Sequence, residues 1–432
     1  MIKRITASAV VALLTCLSLF AGGSREKSVK EITLWHSNSG KNGECFEEII
    51  DAFNEGEGKE KGIFIDAVYQ GKANDVLTKV KANAIAGDSL PDIAQLDATA
   101  ALDMSNADYL KSVDELGFDT SDILAPALAA YMGKELLAVP FNASALLLYY
   151  NKTLFDSLGI KVPKTFDEMI EIASLLKEEK EGKTIRYAIA GVPTTYELTS
   201  FIGAQKGGSY MVDNRNGHDG RPERVLFKEE GTYKAFLEKW KTLYQTGALS
   251  NITSGISTEF AAGRCAMLFA SSSNLTSVIS SVDSSFEVGV AEVPALEAEY
   301  AGDVAVGGGA LFSFSDNAEV KAVLEYLTSE PVQLKWAEDT GYIPVNKRLY
   351  ESNEYMEFIK ENPLFETAAE EVRNSDEDII NVWLPSAYQI YYSFQESVKS
   401  AITGEKTIDQ AVDSMEKTVK QALEDYGKQN SN

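Results

Sequence analysis

Side chains able to do hydrolytic chemistry form no recognisable catalytic motif in this sequence. The chain has 432 residues, of which 65 are acidic and two are histidines. Glycoside hydrolysis needs two positioned carboxylates, but so many acids always supply candidate pairs. The sequence contains no Gly-x-Ser-x-Gly elbow, no His-Glu-x-x-His motif and no phosphate-binding loop. We therefore predict a protein that is not an enzyme, and keep an exported carbohydrate-active enzyme as an alternative of another class.

The sequence also contains few residues that could form a metal site. His36 and His218 are the only histidines, which excludes a histidine-rich metal site. Residues 213–220 carry acids and amides at roughly the spacing of a calcium loop, but no glutamate stands at the closing position. We interpret this segment as a surface hairpin, and predict neither a metal nor a cofactor.

Three consecutive glycines, residues 307–309, open an apolar run that otherwise has the pattern of a buried strand. Glycine weakens a strand because it packs no side chain and loses the most backbone entropy on folding. Either the strand bulges here, or another group comes close to bare backbone. The residues alone leave both explanations open.

Aromatic side chains supply the other candidate binding chemistry. Tyr388, Tyr391 and Tyr392 lie at helical spacing, so they form either a buried helix stripe or a surface for a ligand. Aromatic faces suit the C–H face of a sugar and also a quaternary ammonium group. Trp35 ends the first predicted strand, where open α/β sheets bind ligands, although core packing is an equal alternative.

The elements that must position these residues alternate between strand and helix. Residues 31–35, 62–69 and 91–96 have strand patterns, and the helix between the first two buries Phe46, Ile49, Ile50 and Phe53 at helical offsets. This rhythm predicts an α/β protein with a parallel sheet. Residues 136–150 are too long for one strand, so we split them at residues 140–144 and place a crossing between two lobes there.

The amino terminus has the pattern of a secretory signal peptide. Lys3 and Arg4 precede an apolar stretch, and we predict cleavage after Ala21, with residues 1–21 removed. A lipoprotein with its lipid on Cys16 is the alternative. The mature protein is thus expected to be exported to the periplasm. The full chain has a formal charge of −25, which becomes about −27 once Lys3 and Arg4 are removed, and this charge disfavours binding to nucleic acid and to anionic surfaces.

Several segments together resemble the extracellular solute-binding proteins of ABC importers, the family that includes the maltose- and glycerol-3-phosphate-binding proteins. The similarity runs nearly end to end, and is greatest to the glycerol-3-phosphate branch. Its landmarks are LWHS (34–37), AGDSLPDI (86–93), PFNASALLLYYNK (140–152), VPKTFDEM (162–169), STEFAAGRCAMLFASSS (257–273), GGGALF (307–312) and TGYIPVNK (340–347).

The resemblance implies a two-lobe periplasmic binding protein fold of type II, with a ligand cleft between the lobes and three interlobe crossings. It implies lobe one at residues 31–141 and 275–340, and lobe two at residues 142–274 and 345–428. Closure of the cleft around a ligand would produce the form that docks on the ABC permease in the inner membrane. We expect a monomer.

The resemblance also implies which residues contact the ligand. They come from both lobes and from the crossings, and Trp35 joins them from the strand-end argument. The expected ligand-binding residues are Trp35, Asp97, Ser144, Ser271 or Ser272, Gly307, Gly308, Tyr342 and Tyr391.

Three departures from the glycerol-3-phosphate branch bear on the ligand. Val192 and Thr195 stand where that branch has two tryptophans, and Ala73 replaces a tyrosine, so the pocket should be wider, with Tyr196 partly refilling it. Tyr391 replaces the phosphate-binding arginine, and a phosphate requires a guanidinium or a helix amino terminus. We therefore expect a sugar or oligosaccharide, with glycerol-3-phosphate or a glycerophosphodiester such as glycerophosphocholine as the alternative.

Overall fold

The computed structural model describes residues 29–205 and 209–429. The predicted signal peptide at residues 1–21, its cleavage after Ala21 and the alternative lipid on Cys16 lie outside these ranges. Within the described ranges, no helix is both long and apolar enough to span a lipid bilayer.

Eleven strands in the described chain form two separate sheets. They are β1 Lys30–His36, β2 Ile63–Tyr69, β3 Ile93–Asp97, β4 Val139–Pro140, β5 Leu146–Asn151, β6 Glu178–Lys180, β7 Lys183–Ala190, β8 Leu249–Ser250, β9 Cys265–Ser271, β10 Val288–Ala291 and β11 Gly309–Ser313. We call the part of the chain built around the sheet β2-β1-β3-β11-β4 the first lobe. The second lobe surrounds the sheet β10-β5-β9-β7-β6, in which β8 also pairs with β7.

The first sheet contains the predicted parallel strands and, next to them, an antiparallel strand from later in the chain. Strands β1, β2 and β3 are parallel, whereas β11 runs antiparallel to both β3 and β4. The predicted helix stripe is confirmed, because Phe46, Ile49, Ile50 and Phe53 are all buried in the first-lobe core. The predicted split of residues 136–150 is also confirmed, since β4 and β5 belong to different sheets.

Twenty α-helices of the described chain cover the two sheets. They are α1 Lys41–Glu55, α2 Glu57–Lys61, α3 Ala73–Ala86, α4 Ala101–Met104, α5 Val113–Leu116, α6 Ala125–Ala129, α7 Lys152–Leu158, α8 Phe166–Leu176, α9 Thr195–Gly203, α10 Asp213–Asn216, α11 Leu226–Glu229, α12 Thr232–Gln245, α13 Ile256–Ala261, α14 Leu275–Ser281, α15 Ala318–Leu327, α16 Glu330–Thr340, α17 Asn353–Glu361, α18 Pro363–Asn374, α19 Ala387–Thr403 and α20 Ile408–Gln429.

Three crossings between the lobes lie side by side and are hydrogen-bonded to one another. Ser144 exchanges two backbone hydrogen bonds with Gly307, of 2.9 and 2.8 Å. Ala143 exchanges two more with Ile343, both of 2.9 Å. The segment around residue 143 is therefore the central member of a three-stranded connection. This arrangement confirms the expected two-lobe α/β fold with three crossings.

The lobe boundaries differ from those expected. The boundary at residue 275 is wrong, because β10 (Val288–Ala291) pairs antiparallel with β5 in the second-lobe sheet. The chain reaches the first lobe only after the crossing at Gly307. Trp383 was expected in the second lobe, but its indole is buried in the first-lobe core. The indole N–H donates a 3.3 Å hydrogen bond to the carbonyl oxygen of Ala130.

A buried carboxyl group in helix α18 makes the stability of the second lobe depend on pH. Glu371 is only 2 % exposed; its Oε1 accepts a 3.0 Å hydrogen bond from the backbone N–H of Val293, and its Oε2 has no partner among the described residues. Burial raises the pKa of Glu371 well above its usual range, and the backbone N–H opposes that rise. Below the pKa of this group in the unfolded chain, about 4.3, the carboxyl group is protonated in both states and does not lower the free energy of unfolding. As the pH rises from there through the higher pKa of the folded protein, the free energy of unfolding falls.

The substitution Glu371→Gln should remove this loss, because a neutral amide can keep the hydrogen bond to Val293 without burying a charge. We expect the difference in melting temperature between variant and wild type to increase in favour of the variant from pH 5 to pH 9. Thermal unfolding across that range measures it. A constant difference would show that Glu371 does not titrate differently in the folded and unfolded states.

Candidate ligand-binding cleft

A cavity of about 510 Å³ opens between the two lobes, next to the crossings. Its walls combine polar and aromatic side chains with the aliphatic side chains of Leu96, Ala98, Val382, Leu384 and Ala387. Ser37, Asn38, Ala73, Gln95, Asp97 and Thr99 line it from the first lobe; Asn142, Ser144, Gly307, Gly308, Gly309 and Tyr342 from the crossings; and Thr195, Tyr196, Thr199, Asn381, Tyr388, Tyr391 and Tyr392 from the second-lobe side.

The glycine run is explained by close approach rather than by a bulge. Gly308 has a φ of +132°, and a Cβ atom there would lie 2.1 Å from the carbonyl oxygen of Asn142. A Cβ at Gly307 would lie 3.2 Å from Oγ of Ser144. The pairing of β11 with β3 then begins regularly at Gly309. Gly308 therefore lets two crossings pack backbone to backbone, and Gly307 leaves a bare floor at the cavity.

Asp97 lies at the cavity, and its two carboxylate oxygens have different partners. It caps the turn after β3, with Oδ1 accepting from the backbone N–H of Thr99 at 2.9 Å and from the Thr99 hydroxyl. Its Oδ2 accepts a 3.4 Å hydrogen bond from the hydroxyl of Tyr388, which comes from helix α19 on the opposite wall. Burial, followed by the charge of Asp97, raises the pKa of Tyr388 to about 12. One carboxylate thus joins the two walls of the cleft.

The expected serines separate into different environments. Ser144 lines the cavity. Ser271 is half-buried beside the Tyr196 hydroxyl, and its Oγ accepts a 3.0 Å hydrogen bond from Ser273. Ser272 is fully buried, and its Oγ accepts from the backbone N–H of Ala145 at 3.2 Å. Ser272 therefore supports the fold, and neither Ser271 nor Ser272 is among the residues that line the cavity.

The tyrosines of helix α19 face the cavity and not the core. Tyr391 and Tyr392 make an edge-to-face pair with ring centroids 5.3 Å apart, and Tyr392 is 61 % exposed. The buried stripe of this helix is instead formed by Ile390, Phe394 and Val398. Of the two interpretations of these tyrosines, the structure favours a surface for a ligand. The expected residue Tyr342 also lines the cavity, where it stacks on Trp336 with a centroid distance of 6.0 Å.

Trp35 does not reach the cavity. It is half-buried, lies within β1 between the partner strands β2 and β3, and packs against the first-lobe core. His36 is buried as well, and burial lowers its pKa to about 4. The two polar residues that follow this strand, Ser37 and Asn38, line the cavity in its place.

Sequence reasoning missed the amide side chains of the cleft. Asn38, Gln95, Asn142 and Asn381 all line the cavity. One signal was available for Gln95, because side chains two residues apart in a strand share a face and Asp97 was already a candidate. Ala73 and Thr195, two of the positions that differ from the glycerol-3-phosphate branch, line the cavity, and so does Tyr196. Val192, a third such position, is buried in the second-lobe core.

The cavity has an unusual charge balance for a site that would take a phosphate. Asp97 is the one charged residue among the described residues that line it, and no lysine or arginine accompanies it. Within residues 29–205 and 209–429, no cluster of metal-ligating side chains occurs either. The site thus offers hydroxyls, amides, aromatic faces and one carboxylate.

Comparisons with known proteins agree with this architecture. Residues 48–367 match the family model of the bacterial extracellular solute-binding proteins. The sn-glycerol-3-phosphate-binding periplasmic protein UgpB of Brucella melitensis is 28% identical over 416 residues, which cover 90% of this chain and 92% of that protein.

Two solved structures share the fold at low sequence identity. UgpB from Mycobacterium tuberculosis in complex with glycerophosphocholine superposes with a TM-score of 0.73 at 21% identity, covering 92% of this chain and 98% of that one. The sugar-binding protein MalE from Xanthomonas citri superposes with a TM-score of 0.75 at 19% identity, with the same coverage. Since the family model spans well over half of the sequence, the chain belongs to the family of bacterial extracellular solute-binding proteins.

Proposed function

We propose that this solute-binding component of an ABC importer captures a neutral sugar or oligosaccharide in the cleft between its lobes. The observation that carries the proposal is the cavity lining, in which tyrosines and uncharged hydrogen-bonding groups surround a single carboxylate. Sugars combine apolar C–H faces, which pack on aromatic rings, with hydroxyls that both donate and accept hydrogen bonds. In this proposal Asp97, Ser144, Gly307, Gly308, Tyr342 and Tyr391 contact the ligand.

The proposed cycle contains no chemical step. The three hydrogen-bonded crossings act as the hinge, and closure of the two lobes around the sugar presents a surface to permease subunits in the membrane. The first lobe comprises residues 30–141 together with the chain from residue 308 to residue 341, and the second lobe comprises most of the remainder. Export to the periplasm, through the amino-terminal signal, places the protein where it meets its solute.

A glycerophosphodiester with a cationic head group is the second candidate. Asp97 and the surrounding tyrosines suit a quaternary ammonium group, through charge and cation–π attraction. Helix α19 begins at the cavity with no side-chain cap, and a helix amino terminus favours a phosphate. The similarity to UgpB of Brucella melitensis, and the fold shared with the glycerophosphocholine complex, support this candidate.

A thermal-shift panel on residues 22–432 separates the two candidates. A ligand that binds only the folded state raises the melting temperature, by an amount that depends on its concentration relative to Kd. We expect maltose or maltotriose to raise it, and glycerol-3-phosphate to leave it unchanged. A shift with glycerophosphocholine and with neither sugar would replace the main proposal by the second. Release of glucose from maltotriose during the assay would contradict both, because it would identify an enzyme.

A further inference from the structure

We propose that Gln95 and Tyr196, supported by Asn38 and Thr195, form a polar subsite at the glycine floor that binds hydroxyl groups of the ligand from both lobes. The inference rests on the proposed function and deepens it, by naming residues that set specificity. In the described chain, the side chain of each of the four has a buried polar atom without a hydrogen-bond partner.

The starting observation is a set of buried polar atoms that lack partners. Oε1 of Gln95, Nδ2 of Asn38, Oγ1 of Thr195 and the hydroxyl of Tyr196 are all buried without a hydrogen bond among the described residues. All four residues line the cavity. Buried polar groups are nearly always paired, because leaving one unpaired is costly. Two such groups on each wall of one cavity indicate that a bound molecule completes them.

Gln95 is held over one end of the glycine floor. It lies in β3 and is only 5 % exposed. A Cβ atom at Gly309 would come within 3.1 Å of its Nε2, so the amide lies directly against the bare backbone there. An amide presents one donor group and one acceptor, whichever way it is turned.

Tyr196 lies over the other end of the same floor. Its ring comes from helix α9, and a Cβ atom at Gly307 would lie 3.6 Å from its Cε2. The hydroxyls of Ser144 and Ser271 lie close enough to its phenol to oppose the rise of its pKa that burial causes, but neither meets the phenol oxygen with the geometry of a hydrogen bond. Gln95 and Tyr196 therefore flank residues 307–309 from opposite lobes.

The chemistry of the subsite selects a hydroxylated ligand. The unpaired Gln95 oxygen needs a donor, whereas the unpaired Asn38 nitrogen needs an acceptor. A phosphate or carboxylate anion supplies acceptors only, so it leaves the Gln95 oxygen unpaired. Neighbouring hydroxyls of a sugar or of a glycerol group supply both.

The test compares Tyr196→Phe with Tyr233→Phe, in the same lobe. Tyr233 is fully buried, but its hydroxyl is paired with Ser397 at 2.9 Å and lies outside the cavity lining. In the absence of ligand, Tyr196→Phe should raise the melting temperature, because it removes an unpaired group, and Tyr233→Phe should lower it. A lower melting temperature for Tyr196→Phe would overturn the inference.

Affinity supplies the second readout. Isothermal titration uses whichever of maltose, maltotriose and glycerophosphocholine stabilises the wild type. We expect Tyr196→Phe and Gln95→Leu each to raise Kd at least tenfold, and Tyr233→Phe to leave Kd within twofold. Unchanged affinity in Tyr196→Phe and Gln95→Leu would overturn the inference while leaving the proposed function standing. A wild type that binds none of the three probes would instead overturn the proposed function, and this inference with it.

Discussion

Replacement of Gly308 by alanine is expected to lower the free energy of unfolding by at least about 3 kcal/mol. The new Cβ would lie 2.1 Å from the Asn142 carbonyl oxygen, at a backbone φ of +132° that side chains rarely adopt. Asn142 cannot move aside easily, because its side-chain oxygen accepts from the backbone N–H of Gly309 at 2.8 Å. Chemical denaturation measures the loss.

The matched control is Gly220→Ala. Gly220 has a comparable φ of +148°, but a Cβ there would meet nothing within 4 Å. It therefore carries the conformational penalty without the collision, and we expect a loss of about 1 kcal/mol. Equal losses in the two variants would show that the crossings do not pack against each other as closely as described.

Loss of the Tyr391 ring is expected to have the largest effect on binding among single side chains of the cleft. For Tyr391→Ala we expect about 2 kcal/mol less binding free energy for maltose or maltotriose, or roughly a thirtyfold higher Kd. The physical reason is the loss of an aromatic face that covers the apolar face of a sugar ring. Isothermal titration measures the change.

Tyr391→Phe is the control for this prediction. Phenylalanine keeps the ring and lacks only the hydroxyl group, so we expect the Kd of Tyr391→Phe to stay within about threefold of the wild-type value. If both variants bind the sugar like the wild type, Tyr391 is not a stacking surface. If both lose affinity equally, the hydroxyl and not the ring carries the contact.

The sequence predicted those features that depend on local pattern. The stripe of helix α1 follows from the spacing of Phe46 and Phe53, and the burial of that stripe needs only one apolar partner surface. The split near Pro140 follows from the length of an apolar run that no single strand accommodates. Six of the ligand-binding residues expected from the resemblance to a family line the cavity, among them Asp97, Tyr342 and Tyr391.

Features that depend on partners distant in sequence were not predictable in the same way. Strand β10 has a buried pattern that would suit either sheet, and only its pairing with β5 assigns it to the second lobe. Trp35 was predicted to bind ligand from its place at the end of a strand, and Ser271 or Ser272 from the resemblance to a family. Their directions follow from neighbouring strands, which turn Trp35 towards the core and Ser272 towards Ala145.

The hydrogen bond from Tyr388 to Asp97 has a consequence for which solutes are retained. A carboxylate oxygen accepts more than one hydrogen bond, so a ligand hydroxyl that approaches Oδ2 of Asp97 shares it with the Tyr388 hydroxyl. The acceptor that the ligand meets is thus already held in place from both walls of the cleft, and little of the binding free energy is spent on ordering it. Such a fixed acceptor favours solutes whose hydroxyl groups match its position over solutes that have to adapt to it.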